Sequence, residues 1–428
     1  MGYPWIATQM VIGSDARSSV PREELVLSVS RAVVRAKEMA HIESLILWPA
    51  AEPGLTRELA AVCRATGVTP LLWFPVLSDS PGVPQPEETL VRSFGGTRGH
   101  GSSGAWEGLA GGEERFLFSC PNNVGYLDSV LRAFAKLLDE TDMDGVMLDK
   151  IRFPGPSNGF ESLLGCFCSA CSTRFERETG GLLDTLRQKA RSFIQELRSS
   201  GPARFLSAWK ETGSFWEAAG LEELGRFRER SILAAVQRFS ELAHERRLEV
   251  GLDLFSPSLA PVVGQDYQGL SRLCDWMKPM LYCRAVGPAG LPLEISSLWK
   301  ALQVLHPPAD PALIRAGLKE VFGWSLPDTE AELLAHGLRP GVISSELARI
   351  ADLLQGASGR VYAGIEAVRI PFFGIDTTPE ILRASLSEVR APATGVIASW
   401  ALLHIPEDNL RVLGEWEAQP KTGPAMHA

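Results

Sequence analysis

Short apolar runs alternate with long amphipathic stretches along the chain. Eight of the runs read as strands: Trp5–Gly13, Ser44–Ala50, Pro70–Leu77, Asp144–Phe153, Leu248–Ser256, Cys274–Cys283, Val361–Val368 and Gly395–Leu403. Continuous apolar runs of this length are what strands buried on both faces require, and such strands belong to parallel sheets. Between them, spacing near 3.6 residues predicts helices over Pro21–Ala40, Arg57–Thr66, Asn123–Glu140, Trp216–Arg247 and Pro379–Val389. Pro21 and Pro379 suit first-turn positions, and Asn122 and Thr378 are the expected N-caps. Eight strand–helix repeats predict a closed α/β barrel, a (β/α)8 architecture. The competing open, doubly wound sheet lacks the GxGxxG turn after its first strand.

Three connections exceed what a simple crossover needs. They cover about 78–120, 155–215 and 284–360, following the third, fourth and sixth strands. The expectation is one barrel domain over 1–416 with these insertions, and a flexible tail over 417–428. Every insertion would then decorate the C-terminal face, where loops of such barrels build sites.

Composition narrows the partners. The net charge is −9, with no basic run, so nucleic acid is not expected. No apolar run approaches the roughly 18 residues of a membrane span, and the first residues lack a signal-peptide pattern. Seven cysteines, an odd number with three crowded together, speak for reduced thiols and a cytoplasmic protein.

The segment DGVMLDKIRFP, Asp144–Pro154, carries the most chemistry. Asp149 ends an apolar strand, where a carboxylate contributes little to packing and is costly to bury unpaired. At the C-terminal end of a barrel strand it reads as functional. The structural reading is an ion pair with Lys150 or Arg152. Glu366 ends the seventh strand in YAGIEAV, and Asp253 lies in the fifth in GLDLF. Either could partner Asp149, or be a core carboxylate tied to Lys278 or Arg369. Trp48, Trp73 and Trp400 fall near strand ends and could offer the aromatic platforms that sugars need, and the Tyr282 phenol at the end of the sixth strand could steady a carboxylate or a sugar hydroxyl. Lys150 and Arg152, with Lys278 and Arg284, add positive charge, which hints at an acidic ligand. His100 and His404 are loop histidines with only a weak case for a role.

DGVMLDKIRFP resembles the fourth-strand signature of a group of glycoside-hydrolase-like TIM barrels, and LCDWMKPMLY and LLWFPVLSD resemble the sixth and third strands of the same group. The resemblance implies a carbohydrate substrate and hydrolysis of a glycosidic bond. Two carboxyl groups are required for that reaction. By analogy with retaining barrels, Asp149 and Glu366 would be that pair, with Asp253 as the competitor. The segment is also similar to the chitinase strand-four motif, but Met147 and Ile151 replace its middle Asp and its catalytic Glu. That departure keeps a second reading open: a non-catalytic carbohydrate-binding barrel. A metal-dependent hydrolase is disfavoured because no histidine cluster marks the strand ends.

GCFCSAC places Cys166, Cys168 and Cys171 in a C-x-C-x2-C array. Thiolates so spaced can bind tetrahedral zinc, with Cys120 the expected fourth ligand. The zinc would be structural; no cofactor is expected for catalysis. The alternative is three reduced thiols in a packed loop, and Cys63, Cys274 and Cys283 read as buried core thiols.

Overall fold

The computed structural model describes residues 5–10, 21–50, 52–99, 115–355, 359–370 and 375–418. Eight parallel strands close into a barrel: β1 Trp5–Met10, β2 Ser44–Leu47, β3 Thr69–Pro75, β4 Gly145–Asp149, β5 Glu249–Leu254, β6 Trp276–Pro279, β7 Arg360–Glu366 and β8 Ala393–Ser399. Each pairs with its neighbour in sequence, and β8 closes the ring by pairing with β1, Ala7 opposite Ile397. Each expected apolar run overlaps one of these strands; the third, seventh and eighth strands begin one or two residues earlier than expected, at Thr69, Arg360 and Ala393. His100, Val11–Gly13 and residues 419–428 lie outside the described residues.

The strands are shorter than the apolar runs. The fourth run stops at Asp149 because Lys150 takes a left-handed backbone (φ 52°), which turns the chain out of the sheet. Helices pack outside the strands with alternating buried and exposed faces. The expected helix over Trp216–Arg247 is two pieces, Phe215–Ala218 and Glu222–Glu245; Gly220, at φ 67°, breaks the run between them. The helix Val124–Thr141 is capped by Asn123, whose side chain accepts from the Tyr126 amide, and not by Asn122. Asn122 instead reaches Ser231 and Cys171. Thr378 caps Pro379–Ser387 as expected. Among the described residues, no helix is long and apolar enough to cross a membrane.

The barrel interior is filled in layers, as in a packed core. Trp5, Trp276 and Tyr362 meet near the N-terminal end, with ring centroids 4.2–5.9 Å apart. Gly251 makes this possible: a Cβ there would stand 2.1 Å from the Trp276 ring. Ala7, Ile46, Leu71, Met147 and Ile397 join the same inner cluster. Towards the C-terminal end the inward positions become polar, and the site begins there.

Candidate active site

Period-two alternation decides which side chains enter the barrel. Trp73 and Met147 face inward, so Asp149 does too. Met147 pairs with Gly251 and Leu148 with Leu252, which sets Asp149 and Asp253 beside one another on neighbouring strands. Strand spacing is about 4.8 Å, so the two carboxyl-bearing residues are immediate neighbours.

Their partners differ. The Trp73 indole N–H donates to Asp149 Oδ2 at 2.8 Å, and the Lys150 amide donates to Oδ1. Trp48 packs edge-on against Trp73, with centroids 5.2 Å apart. Asp253 Oδ2 accepts from Lys278 Nζ at 2.9 Å, a pair almost wholly buried. Asp253 Oδ1 is buried with no partner among the described residues. Burial pushes the Asp253 carboxyl up to about 7; Lys278 opposes that rise and the Asp149 charge adds to it. Lys278 also donates to Gln9 Oε1 (2.9 Å), which accepts from Ser399 Oγ (2.8 Å), and Ser399 meets Tyr282 Oη at 2.7 Å. Trp400 packs on Tyr282 with centroids 5.9 Å apart. Polar side chains from β1, β5 and β8, with Lys278 from β6 and Tyr282 just beyond it, form one buried network below the mouth. Burial raises the Tyr282 phenol, so it stays neutral.

Glu366 is occupied elsewhere. Its Oε1 accepts from the amides of Arg284 and Ala285, each at 2.7 Å, holding the loop after β6. Burial raises its carboxyl, against the pull of those amides. Arg369, the expected alternative partner, pairs with Asp376 and Asp408 instead.

The cations are also committed. Lys150 Nζ binds Asp79 Oδ2 at 2.7 Å in a nearly buried ion pair, 4.2 Å from the centroid of the Phe116 ring. Asp79 also accepts from the amides of Arg115 and Phe116. Burial works against its charge, but Lys150, the Arg115 amide and the Ser78 hydroxyl together hold the carboxyl below the usual range. Asp79, Phe116 and Lys150 all have positive φ (53°, 49° and 52°) although none is glycine. Such backbone is held only where its surroundings over-determine it, and it concentrates at functional sites. Asp79 and Phe116 were not among the expected site residues. Asp79 closes the third-strand segment LLWFPVLSD, whereas nothing in the sequence around Phe116 signals its place.

Arg152 lies between the Phe118 and Phe255 rings, 4.1 and 4.3 Å from their centroids, and donates to Phe153 O. Burial lowers its guanidinium to about 10, while Glu294 and then Asp149 favour its charge. It does not bond Asp149, so the expected structural pair between them is not formed. His404 is exposed. Cys63 and Cys283 are buried and Cys274 is half-buried. Cys120, Cys166, Cys168 and Cys171 converge at one buried point.

No protein-family model matches the chain, and no curated protein matches its sequence. Solved structures match its fold. The glycoside hydrolase domain of PgaB (BpsB) from Bordetella bronchiseptica aligns with a TM-score of 0.53 at 14% identity, covering 97% of this chain and 98% of that one. The catalytic domain of a beta-amylase from Paenibacillus polymyxa aligns with a TM-score of 0.54 at 9% identity, covering 97% and 99%. At such identities the likeness is one of fold: a (β/α)8 TIM barrel of the kind glycoside hydrolases use.

Proposed function

We propose that the chain hydrolyses a glycosidic bond, with Asp149 and Asp253 as its carboxyl pair. The observation that carries this is their placement side by side at the C-terminal end of the barrel, one carboxyl at the mouth and the other driven up to about 7 by burial. Glycoside hydrolysis needs an acid and a base or nucleophile flanking one bond, and environments that separate two carboxyls assign those roles. In this reading Asp253 holds the proton and Asp149 is the carboxylate at the reacting centre. Trp73 orients Asp149 through its N–H. Trp48 and Trp400, half-buried at the rim, supply apolar faces for a sugar ring, and Tyr282 and Ser399 keep the floor polar. Glu366 becomes the brace of the β6 loop rather than the second catalytic carboxyl.

The substrate is a carbohydrate, and Arg152, which bonds no carboxylate among the described residues, favours an acidic one. The fold shared with the two hydrolase domains is consistent with this reading. The second reading, a barrel that binds carbohydrate without cleaving it, is favoured by one observation: Asp253 is already held in an ion pair with Lys278.

The test is hydrolysis of aryl glycosides and of neutral and acidic oligosaccharides by the wild type, Asp149→Asn and Asp253→Asn, with sugar binding followed by calorimetry. Turnover lost in both variants with binding retained supports the pair. Binding without turnover in the wild type favours the second reading.

A further inference from the structure

The chain brings four thiols together from two separate loops. Cys120 lies just before the helix Val124–Thr141, in the connection after β3. Cys166, Cys168 and Cys171 lie in the connection after β4, the last of them in the first turn of Ser169–Thr179. All four are buried, and their sulfurs lie within 4.8 Å of one another. Cys120 Sγ is 3.3 Å from Cys171 Sγ and 3.5 Å from Cys168 Sγ. A tetrahedron of sulfurs about 2.3 Å from a central zinc has edges of about 3.8 Å, so the cluster already has nearly the size of such a site. Disulfide bonds would need two separate pairs at about 2.05 Å, whereas these thiols converge as one group of four.

A second observation stands apart from the thiols. Arg228 is wholly buried, yet among the described residues no carboxylate bonds it. Its guanidinium donates to the carbonyls of Leu163, Gly165 and Val262 and stacks on Phe153 and Trp216. A buried cation bonded only by neutral groups is costly without a nearby negative charge. Once ionised, Cys166 and Cys171 are the groups whose charge would favour it most, ahead of Glu229. Two further donors aim at the sulfurs: the Arg92 amide at Cys166 and Asn122 Nδ2 at Cys171, each 3.3 Å away.

We infer that Cys120, Cys166, Cys168 and Cys171 bind one zinc ion as four thiolates, that Arg228 offsets the resulting double negative charge, and that the metal fastens the β3 loop to the β4 loop. Binding exchanges four thiol protons for one Zn(II), leaving a tetrathiolate centre of charge −2. Four protein ligands leave no open position, so the role is structural. The fastened loops are those that carry Phe116 and Phe118 on one side and Lys150 and Arg152 on the other, so the metal sets the wall of the mouth from outside it. This inference does not depend on the proposed hydrolysis.

The test is metal analysis and native mass spectrometry of the full chain, followed by exchange of its metal for Co(II). One zinc per chain, seven free thiols after denaturation, and the thiolate charge-transfer and visible bands of tetrahedral Co(II) are expected. Cys171→Ser should bind less than one equivalent of zinc. Because that variant could fail to fold, Arg228→Gln provides a second arm. It keeps all four sulfurs and should release zinc to a chelator about 10–100-fold more readily, the usual effect of losing support around a metal. A folded chain that takes up neither Zn(II) nor Co(II), or disulfides among these four cysteines, would overturn the site. Unchanged zinc release by Arg228→Gln would overturn the role given to Arg228.

Discussion

Asp149 and Asp253 sit next to one another on adjacent strands, yet each carboxyl is held from its far side: Asp149 by the Trp73 indole on β3, Asp253 by Lys278 on β6. Among the described residues, no hydrogen bond joins the two acids. Trp73 and Lys278 thereby fix the orientation of the two carboxyls.

If that pair carries the reaction, Asp149→Asn should lower kcat/KM by about 10²–10⁴-fold, the range for removing one positioned proton-transfer group. Glu366→Gln should stay within several-fold of the wild type, because its remaining carbonyl oxygen can still accept from the Arg284 and Ala285 amides. Steady-state kinetics on one responsive glycoside separates the two. A loss of similar size in Glu366→Gln would return the second role to Glu366.

The pH dependence follows from Asp253. An acid that must hold its proton predicts that kcat/KM falls as pH rises through about 7, with that limb absent in Asp253→Asn. Stability should move in the same direction. The unfolded carboxyl loses its proton near pH 4 and the native one near 7, so the native state holds the extra proton between them and stability declines as pH rises across that window. Lys278 is held charged to higher pH than usual and adds a constant term there. Denaturant melts of the wild type and Asp253→Asn between pH 4 and 8 measure this; a wild-type curve flat over that range would contradict it.

The Asp79–Lys150 pair can be weighed by a double-mutant cycle. Asp79→Asn removes the carboxylate that bonds Lys150 Nζ at 2.7 Å, and breaking a buried ion pair typically costs about 3–5 kcal/mol. Combining it with Lys150→Met should recover most of that loss in thermal or denaturant unfolding. Additive losses would mean that the two residues act separately.

Gly251→Ala tests the inner packing. Its methyl group would meet the Trp276 ring, and overpacking of this kind costs typically about 1–3 kcal/mol or more. A fall in melting temperature, with a change in tryptophan fluorescence, is expected; an unchanged melt would show that Trp276 can move aside.

The barrel was legible because apolar runs such as Ser44–Leu47 and Val146–Leu148 follow from burial on both faces, a local property of sequence. The place of Asp149 at the end of its strand was legible for the same reason: a charge ending such a run stands out. What escaped depended on relations between distant residues. Glu366 looked equivalent to Asp149 from its position at a strand end, but the amides that occupy it belong to Arg284 and Ala285, on a loop whose path the sequence does not reveal. Lys150 reads from the sequence as an ion partner of Asp149 or as positive charge near the mouth, and its pairing with Asp79 depends on a contact 71 residues apart that no local pattern reveals. The capping residue of Val124–Thr141 was misplaced by one position because Asn122 and Asn123 have the same side chain, and only tertiary contacts with Ser231 and Cys171 divide their roles.

The last strand, Ala393–Ser399, sits between β1 and β7, and Ser399 bonds Gln9 from 390 residues away in the chain. During synthesis, therefore, the first strand has one permanent neighbour missing until the chain has been made through Ser399. Until then β1 and β7 are raw edges, and Lys278 and Gln9 lack the hydroxyl that completes their network. The ring is assembled like a clasp bracelet, useful only once its final link is fastened. A nascent chain held just short of that link should stay open to proteases and chaperones however well its middle has folded.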